Sequence, residues 1–288
     1  MTRAGSRNGT GSTRVVAPAG VGTPGRALIG IPTLRTDRWW RSPLITMLAL
    51  VGFIVYASWA AFVGTNYFYE PYISPFYSPC LAVACTASGA PSLGVFGTWW
   101  PFSPAIIILI FPLGFRLTCY YYRKAYYRAF WRAPAACAVP EPHAKYTGES
   151  RFPLLIQNSH RYFWYAAVVV GLILTYDVVL AFRPMPDAYA VGDGETGGVH
   201  MGLGTLLMIV NVALIWLYTL SCHSCRHAVG GRLRHFSRHP VRYRLWTWVS
   251  RLNVNHGRYA WYSLFSVALV DLYVYLLANG TIDDLRFF

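Results

Sequence analysis

The chain has 288 residues, of which 55% are hydrophobic, 17% aromatic and only 12% charged, yet it carries a formal net charge of +14. That balance excludes an average soluble domain and makes an integral membrane protein the natural class. A nucleic-acid partner is disfavoured, because the positive charge is divided among short segments between apolar runs instead of forming one groove.

In chain order, residues 1–34 come first, rich in Gly, Thr, Ala and Arg and without a periodic apolar pattern; they are predicted to form a disordered cytoplasmic tail, with residues 35–288 as the membrane domain. A cleaved signal peptide is not expected, since the first apolar run starts only at Pro43 and is too long for an h-region. Crossing a bilayer takes about 20 mostly apolar residues. Five such runs follow, at 43–63, 102–122, 162–182, 201–221 and 259–278. The predicted fold class is therefore all-α, an integral membrane bundle of five transmembrane helices.

Arg and Lys near span ends stay on the cytoplasmic side. Residues 1–42 carry seven basic side chains, 123–158 six and 223–257 seven, while 64–100 carry none and 183–200 only Arg183 beside Asp187, Asp193 and Glu195. This alternation predicts a cytoplasmic N-terminus and an external C-terminus. The segment 64–100, with several prolines and aromatics, is expected to lie on the bundle as an external cap. Its Cys80 and Cys85 are either a small disulfide loop or two thiols. No internal repeat is evident.

The other four cysteines fall on the opposite side: Cys119 near the inner end of the second span, Cys137 in the loop after it, and Cys222 and Cys225 after the fourth. His160 opens the third span, His223 and His227 follow the fourth, and His256 opens the fifth; His143, His235 and His239 lie farther out, and only His200 is external. Four spans thus bring a Cys or a His to about one depth. Thiolate and imidazole are ligands for zinc, haem iron and iron–sulfur clusters. Cys119, Cys222, Cys225, His160, His223, His227 and His256 form a candidate pool for a shared soft-metal centre. Taken singly, each is as well explained by capping or packing.

The run SCHSCRH, residues 221–227, is not a self-contained motif. Covalent haem c needs a histidine directly after the second cysteine, and Arg226 stands there. Cys225-Arg226-His227 matches half of a Rieske box whose second half is absent. If the helix continues at about 100° per residue, the Cys222/Cys225 and His223/His227 pairs point to different sides. A centre must then be completed from neighbouring spans, as bundles do.

The segments RLTCYYYRKAYYRAFW, APAACAVPEPHAKYTGESRFPLLIQNSHRYFWYA, LSCHSCRHAVGGRLRHFSRHP and NVNHGRYAW together resemble the single-chain membrane anchor of succinate dehydrogenase (respiratory complex II) of the actinobacterial, mycobacterial-like type. The resemblance covers residues 35–280. It implies a subunit of the plasma membrane that holds the flavoprotein and iron–sulfur subunits on the cytoplasmic face, possesses no succinate chemistry of its own, and passes electrons to a quinone such as menaquinone. In that branch the resemblance implies a Rieske-type [2Fe-2S] cluster with two cysteines on one iron and two histidines on the other. Haem b is the alternative cofactor, although a second, external haem lacks histidines other than His200. A cofactor-free structural anchor is a further alternative, and a transporter is disfavoured by the lack of repeated, interrupted spans.

For the quinone, Arg116 inside the second span, with Tyr120 and Arg123 toward its inner end, are the candidate contacts. Asp177 and Asp271, in the outer halves of spans three and five, are expected to pair with buried donors or to relay protons.

Overall fold

The computed structural model describes residues 37–287 except 91, 96, 98, 100, 101, 134, 138, 140–153 and 184–199. The tail assigned to residues 1–34, and His143, lie outside the described residues. The regular structure runs α1 (Arg41–Val63), a hairpin of β1 (Phe68–Tyr69) and β2 (Tyr72–Ile73), α2 (Pro104–Thr118), α3 (Tyr120–Tyr126), α4 (His160–Leu180), α5 (Leu203–Leu220), α6 (His223–Gly230), α7 (Pro240–Asn253) and α8 (His256–Ala278).

Helix ends follow local chemistry. α1 stops at Gly64, which takes φ +65°, the left-handed cap position that glycine adopts without a Cβ clash. α2 opens with Pro104, whose fixed φ and missing N–H suit the first turn. The four helices α1, α4 (with its preceding turn), α5 and α8 are long and apolar enough to cross a membrane, and α2 with the helical stretch Tyr120–Trp131 makes a fifth candidate bent by 76°. These correspond to the five apolar runs of the sequence. One expectation is corrected: an unbroken helix over 102–122 does not form, because the chain turns at Cys119.

α5 packs against α8 and α4, and α4 against α2. Large apolar side chains such as Phe62, Tyr162, Leu48 and Val169 point outward instead. In a bilayer such an outer face has no aqueous penalty, and packing and polar contacts hold the helices together. The segment after α1 folds onto one end of the bundle, with Tyr72, Tyr77 and the disulfide-linked Cys80 and Cys85 buried in it. It is pinned there by the intramembrane carboxylates. Asp271 accepts hydrogen bonds from Tyr56 Oη (2.6 Å) and from the Ser74 hydroxyl, and Asp177 accepts one from Ser78 Oγ (2.5 Å). Of the two roles left open for these aspartates, pairing with protein donors is the one these hydrogen bonds show.

At the same end, the residues after α8 return to the start of α5. Leu203 N donates to Leu285 O (2.8 Å) and Phe287 N to Met201 O (2.9 Å). Asp284 gathers Tyr72 Oη (2.7 Å), Tyr273 Oη (2.6 Å) and Gly204 N (3.0 Å), and His200 Nε2 sits 3.0 Å from the same Tyr72 hydroxyl.

Candidate functional site

Two interruptions at the opposite end of the bundle build the site. Cys119 stands between α2 and α3 in an extended conformation (φ −65°, ψ 126°), and Cys222 precedes α6 in nearly the same one (φ −64°, ψ 145°). A helix that runs on from Ser221 through His227 is thereby corrected as well; α5 ends at Leu220. Each interruption leaves main-chain carbonyls without helical partners. Side-chain amides take them: Gln157 Nε2 donates to Leu117 O (3.2 Å), and Asn253 Nδ2 donates to Ser221 O (2.7 Å). Three residues after each amide, a histidine opens a helix, His160 for α4 and His256 for α8.

These four elements bring two cysteines and two histidines together. His160 Nε2 lies 3.1 Å from Cys222 Sγ, and His256 Nε2 lies 3.5 Å from Cys119 Sγ. Cys119, Cys222 and His256 are buried. The tautomers follow from the hydroxyls behind the rings. Thr118 Oγ1 donates its only proton to Gly114 O (2.6 Å), so at 2.9 Å from His160 Nδ1 it accepts. Ser221 Oγ likewise donates to Tyr218 O (3.0 Å) and accepts from His256 Nδ1 (2.8 Å). Both imidazoles therefore carry their proton on Nδ1 and turn an Nε2 lone pair toward sulfur, the orientation that second-shell hydrogen bonds impose on metal ligands.

The arrangement is a pseudo-repeat. FRLTC (115–119) matches YTLSC (218–222), and QNSH (157–160) matches NVNH (253–256). In one half Phe115 stacks on His160 (5.1 Å, 4°); in the other Tyr218 stacks on His256 (4.9 Å, 16°). Each cysteine faces the histidine of the other half. The sequence reading missed this repeat because its units are only four and five residues long, although aromatic-x-Leu-hydroxyl-Cys was the signal for it.

The remaining candidates separate. Cys225 is buried in the apolar cluster that also holds Tyr218 and Val249. His223 and His227 meet edge to face at 4.6 Å and, with Cys119, Cys222, His160 and His256, line a cavity of about 690 Å³. Burial, followed by the neighbouring His227 and Arg226, lowers the pKa of His223, so its ring is neutral at pH 7. Burial pushes the Cys222 thiol up to about 12, with the Cys119 thiol adding to the effect. Tyr120 and Arg123 also line the cavity, the guanidinium 4.5 Å over the Tyr120 ring. Arg116 turns away from it, donating to Tyr122 Oη (2.6 Å), Ala260 O (3.1 Å) and Ser263 Oγ (3.1 Å). Cys137 is exposed and does not line this cavity.

Among the described residues, no group of three or more His, Cys, Asp and Glu side chains is placed to hold a single metal ion; the donors come as two Cys–His pairs. A further polar atom bears on what the site could hold. Tyr218 Oη is a fully enclosed hydroxyl for which no hydrogen-bond partner is present among the described residues, and buried polar groups are rarely left so.

Residues 41–280 match the model of the family described as actinobacterial succinate dehydrogenase subunit SdhC. A chain in the structure of the Mycobacterium smegmatis Sdh1 complex in the apo form is similar, with 53% identity, a TM-score of 0.78, and coverage of 92% of this chain and 98% of that one. No curated protein matches. The family match, the related structure and the several apolar helices agree with the resemblance carried by the sequence segments: the chain belongs to the actinobacterial succinate dehydrogenase SdhC family, the multi-pass membrane subunit of a complex whose succinate chemistry lies on its partner subunits.

Proposed function

We propose that this subunit conducts electrons between the iron–sulfur partner and membrane quinone, and that it holds a Rieske-type [2Fe-2S] cluster with Cys119 and Cys222 as thiolate ligands and His160 and His256 as imidazole ligands. The observation that carries the reading is the convergence, from four separate helices, of two thiols and two Nε2 lone pairs whose tautomers are fixed from behind. A two-iron cluster takes two protein ligands per iron. It therefore calls for four donors around one shared site, two cysteines toward one iron and two histidines toward the other, and not for three or four donors around one ion. When bound, such a cluster supplies one-electron transfer at a potential raised by histidine ligation.

The chain's own residues do the rest. Thr118 and Ser221 keep the rings oriented, Gln157 and Asn253 hold open the breaks that present the cysteines, and Cys119, Cys222 and Cys225 are backed by one apolar cluster with Phe115, Trp164 and Leu264. Tyr120 and Arg123, on the cavity wall, are the better candidates for contact with quinone; Arg116 is spent on protein acceptors. A haem b held by His160 and His256 would leave both cysteines, each beside an imidazole, without a role. In the proposed orientation α1, the bent α2–α3 pair, α4, α5 and α8 make five spans, with the Cys/His end and the N-terminus cytoplasmic and the C-terminus external.

Electron paramagnetic resonance of the purified, dithionite-reduced complex tests the cofactor. The expected result is a Rieske-type signal that disappears in Cys119→Ala, Cys222→Ala, His160→Ala and His256→Ala and persists in Cys225→Ala. A haem absorption band with no such signal, or a signal untouched by these changes, refutes it.

A further inference from the structure

We propose that Tyr218 is a positioning residue that tunes the site, its hydroxyl donating a hydrogen bond to the Cys119 sulfur when that sulfur is a metal-bound thiolate. The inference rests on the two-Cys, two-His reading above, and three observations carry it beyond that reading.

The first is a mismatch within the pseudo-repeat. Phe115 and Tyr218 occupy equivalent places and stack on equivalent imidazoles, His160 and His256. Stacking needs only a ring, as Phe115 demonstrates, so the hydroxyl of Tyr218 answers to something else. The second is that this hydroxyl is fully buried without a hydrogen-bond partner. A buried donor left unmade is costly, and sulfur is at hand to accept: Tyr218 and Cys119 pack in one buried cluster, and the Tyr218 hydroxyl is within interaction range of Cys119 without forming a well-shaped hydrogen bond to the neutral thiol. A thiolate is a far stronger acceptor than a thiol. The third is Arg116, whose guanidinium lies 5.0 Å over the Tyr218 ring. A cation on that face draws electron density from the ring and strengthens its O–H as a donor.

Hydrogen bonds to cluster sulfurs are among the factors that set iron–sulfur potentials. A donor at Cys119 stabilises the electron-richer, reduced state, and the equivalent Phe115 offers none. Tyr218 therefore raises the reduction potential through one ligand only.

The test is a redox titration of the whole membrane complex, followed by electron paramagnetic resonance, in wild type and Tyr218→Phe. The variant keeps the stacked ring. The expected result is an intact signal whose reduced-to-oxidised ratio, at the wild-type midpoint, falls about tenfold, equivalent to roughly 59 mV downward for one electron. An unchanged midpoint overturns the role of Tyr218 while leaving the cluster reading intact. Absence of any Rieske-type signal in wild type overturns both. If the variant loses its cluster, 3-fluorotyrosine at position 218 decides: it keeps the ring and makes the hydroxyl a stronger donor, so the midpoint is expected to rise, and an unchanged midpoint overturns the proposal.

Discussion

A histidine ligand is only as well aimed as the group behind it. Here each ring is held by a hydroxyl whose own proton is committed to a main-chain carbonyl, Thr118 to Gly114 and Ser221 to Tyr218. Thr118→Val and Ser221→Ala are expected to leave a buried Nδ1–H without an acceptor and to weaken retention of the proposed cluster about 10–100-fold, the usual cost of removing the group that orients a metal ligand; spin quantitation and iron content per complex measure it. At this scale the sequence was informative about residue type and poor about aim. Cys119, Cys222, His160 and His256 were in the candidate pool, but so were Cys225, His223 and His227, and nothing in composition or spacing separates a cysteine at an extended break from one three residues later in a helix. Arg116 shows the converse. An intramembrane charge is conspicuous in sequence, while the three protein acceptors that occupy it come from α3 and α8 and are visible only in the fold.

At the scale of elements, the site depends on helices that stop. Hydropathy located all the apolar runs to within a few residues, because burial in lipid acts on every residue of a span. It did not locate the turn at Cys119 or the stop before Cys222, because those depend on single amides reaching over from other helices, Gln157 to Leu117 O and Asn253 to Ser221 O. Removing either amide uncaps a partly buried carbonyl. Gln157→Ala and Asn253→Ala are each expected to cost about 1–3 kcal/mol, read as a lower thermal unfolding midpoint in detergent and as partial loss of cluster. Gly257 makes a different contribution: a Cβ there would run into the Tyr121 ring, so Gly257→Ala is expected to displace α3 from the start of α8 and with it Cys119 from His256. Loss of cluster with retained membrane insertion checks this.

At the scale of the molecule, the two ends of the bundle are tied differently. The Cys/His end is cross-wired between helices, while the other is clamped by carboxylates: Asp271 and Asp177 hold the loop after α1, and Asp284 holds the returning C-terminal segment to Tyr72, Tyr273 and Gly204. Asp271→Ala is expected to release the loop, making 64–90 susceptible to limited proteolysis from the side opposite the Cys/His site, with a lowered unfolding midpoint; a protected loop at the wild-type midpoint contradicts the clamp. Asp284→Ala should do the same for the last residues. That this segment caps the bundle was legible from its prolines and aromatics, but the partner of each buried aspartate was not, since Ser74 and Asp271 lie far apart in the chain.

Fastening the helices at the far end gives the spans the function of a ruler. α5 is held at Leu203 by the C-terminal strap and delivers Cys222 just beyond Leu220, and α8 carries His256 and Asp271 on one continuous helix. One residue added anywhere in such a span advances the far end by about 1.5 Å and turns it by about 100°. An insertion in the middle of α5, remote from both ends and neutral in hydropathy, would therefore swing Cys222 out of register with His160 as surely as a change at the site itself, and the length of each span is as much a part of the proposed coordination as the four side chains.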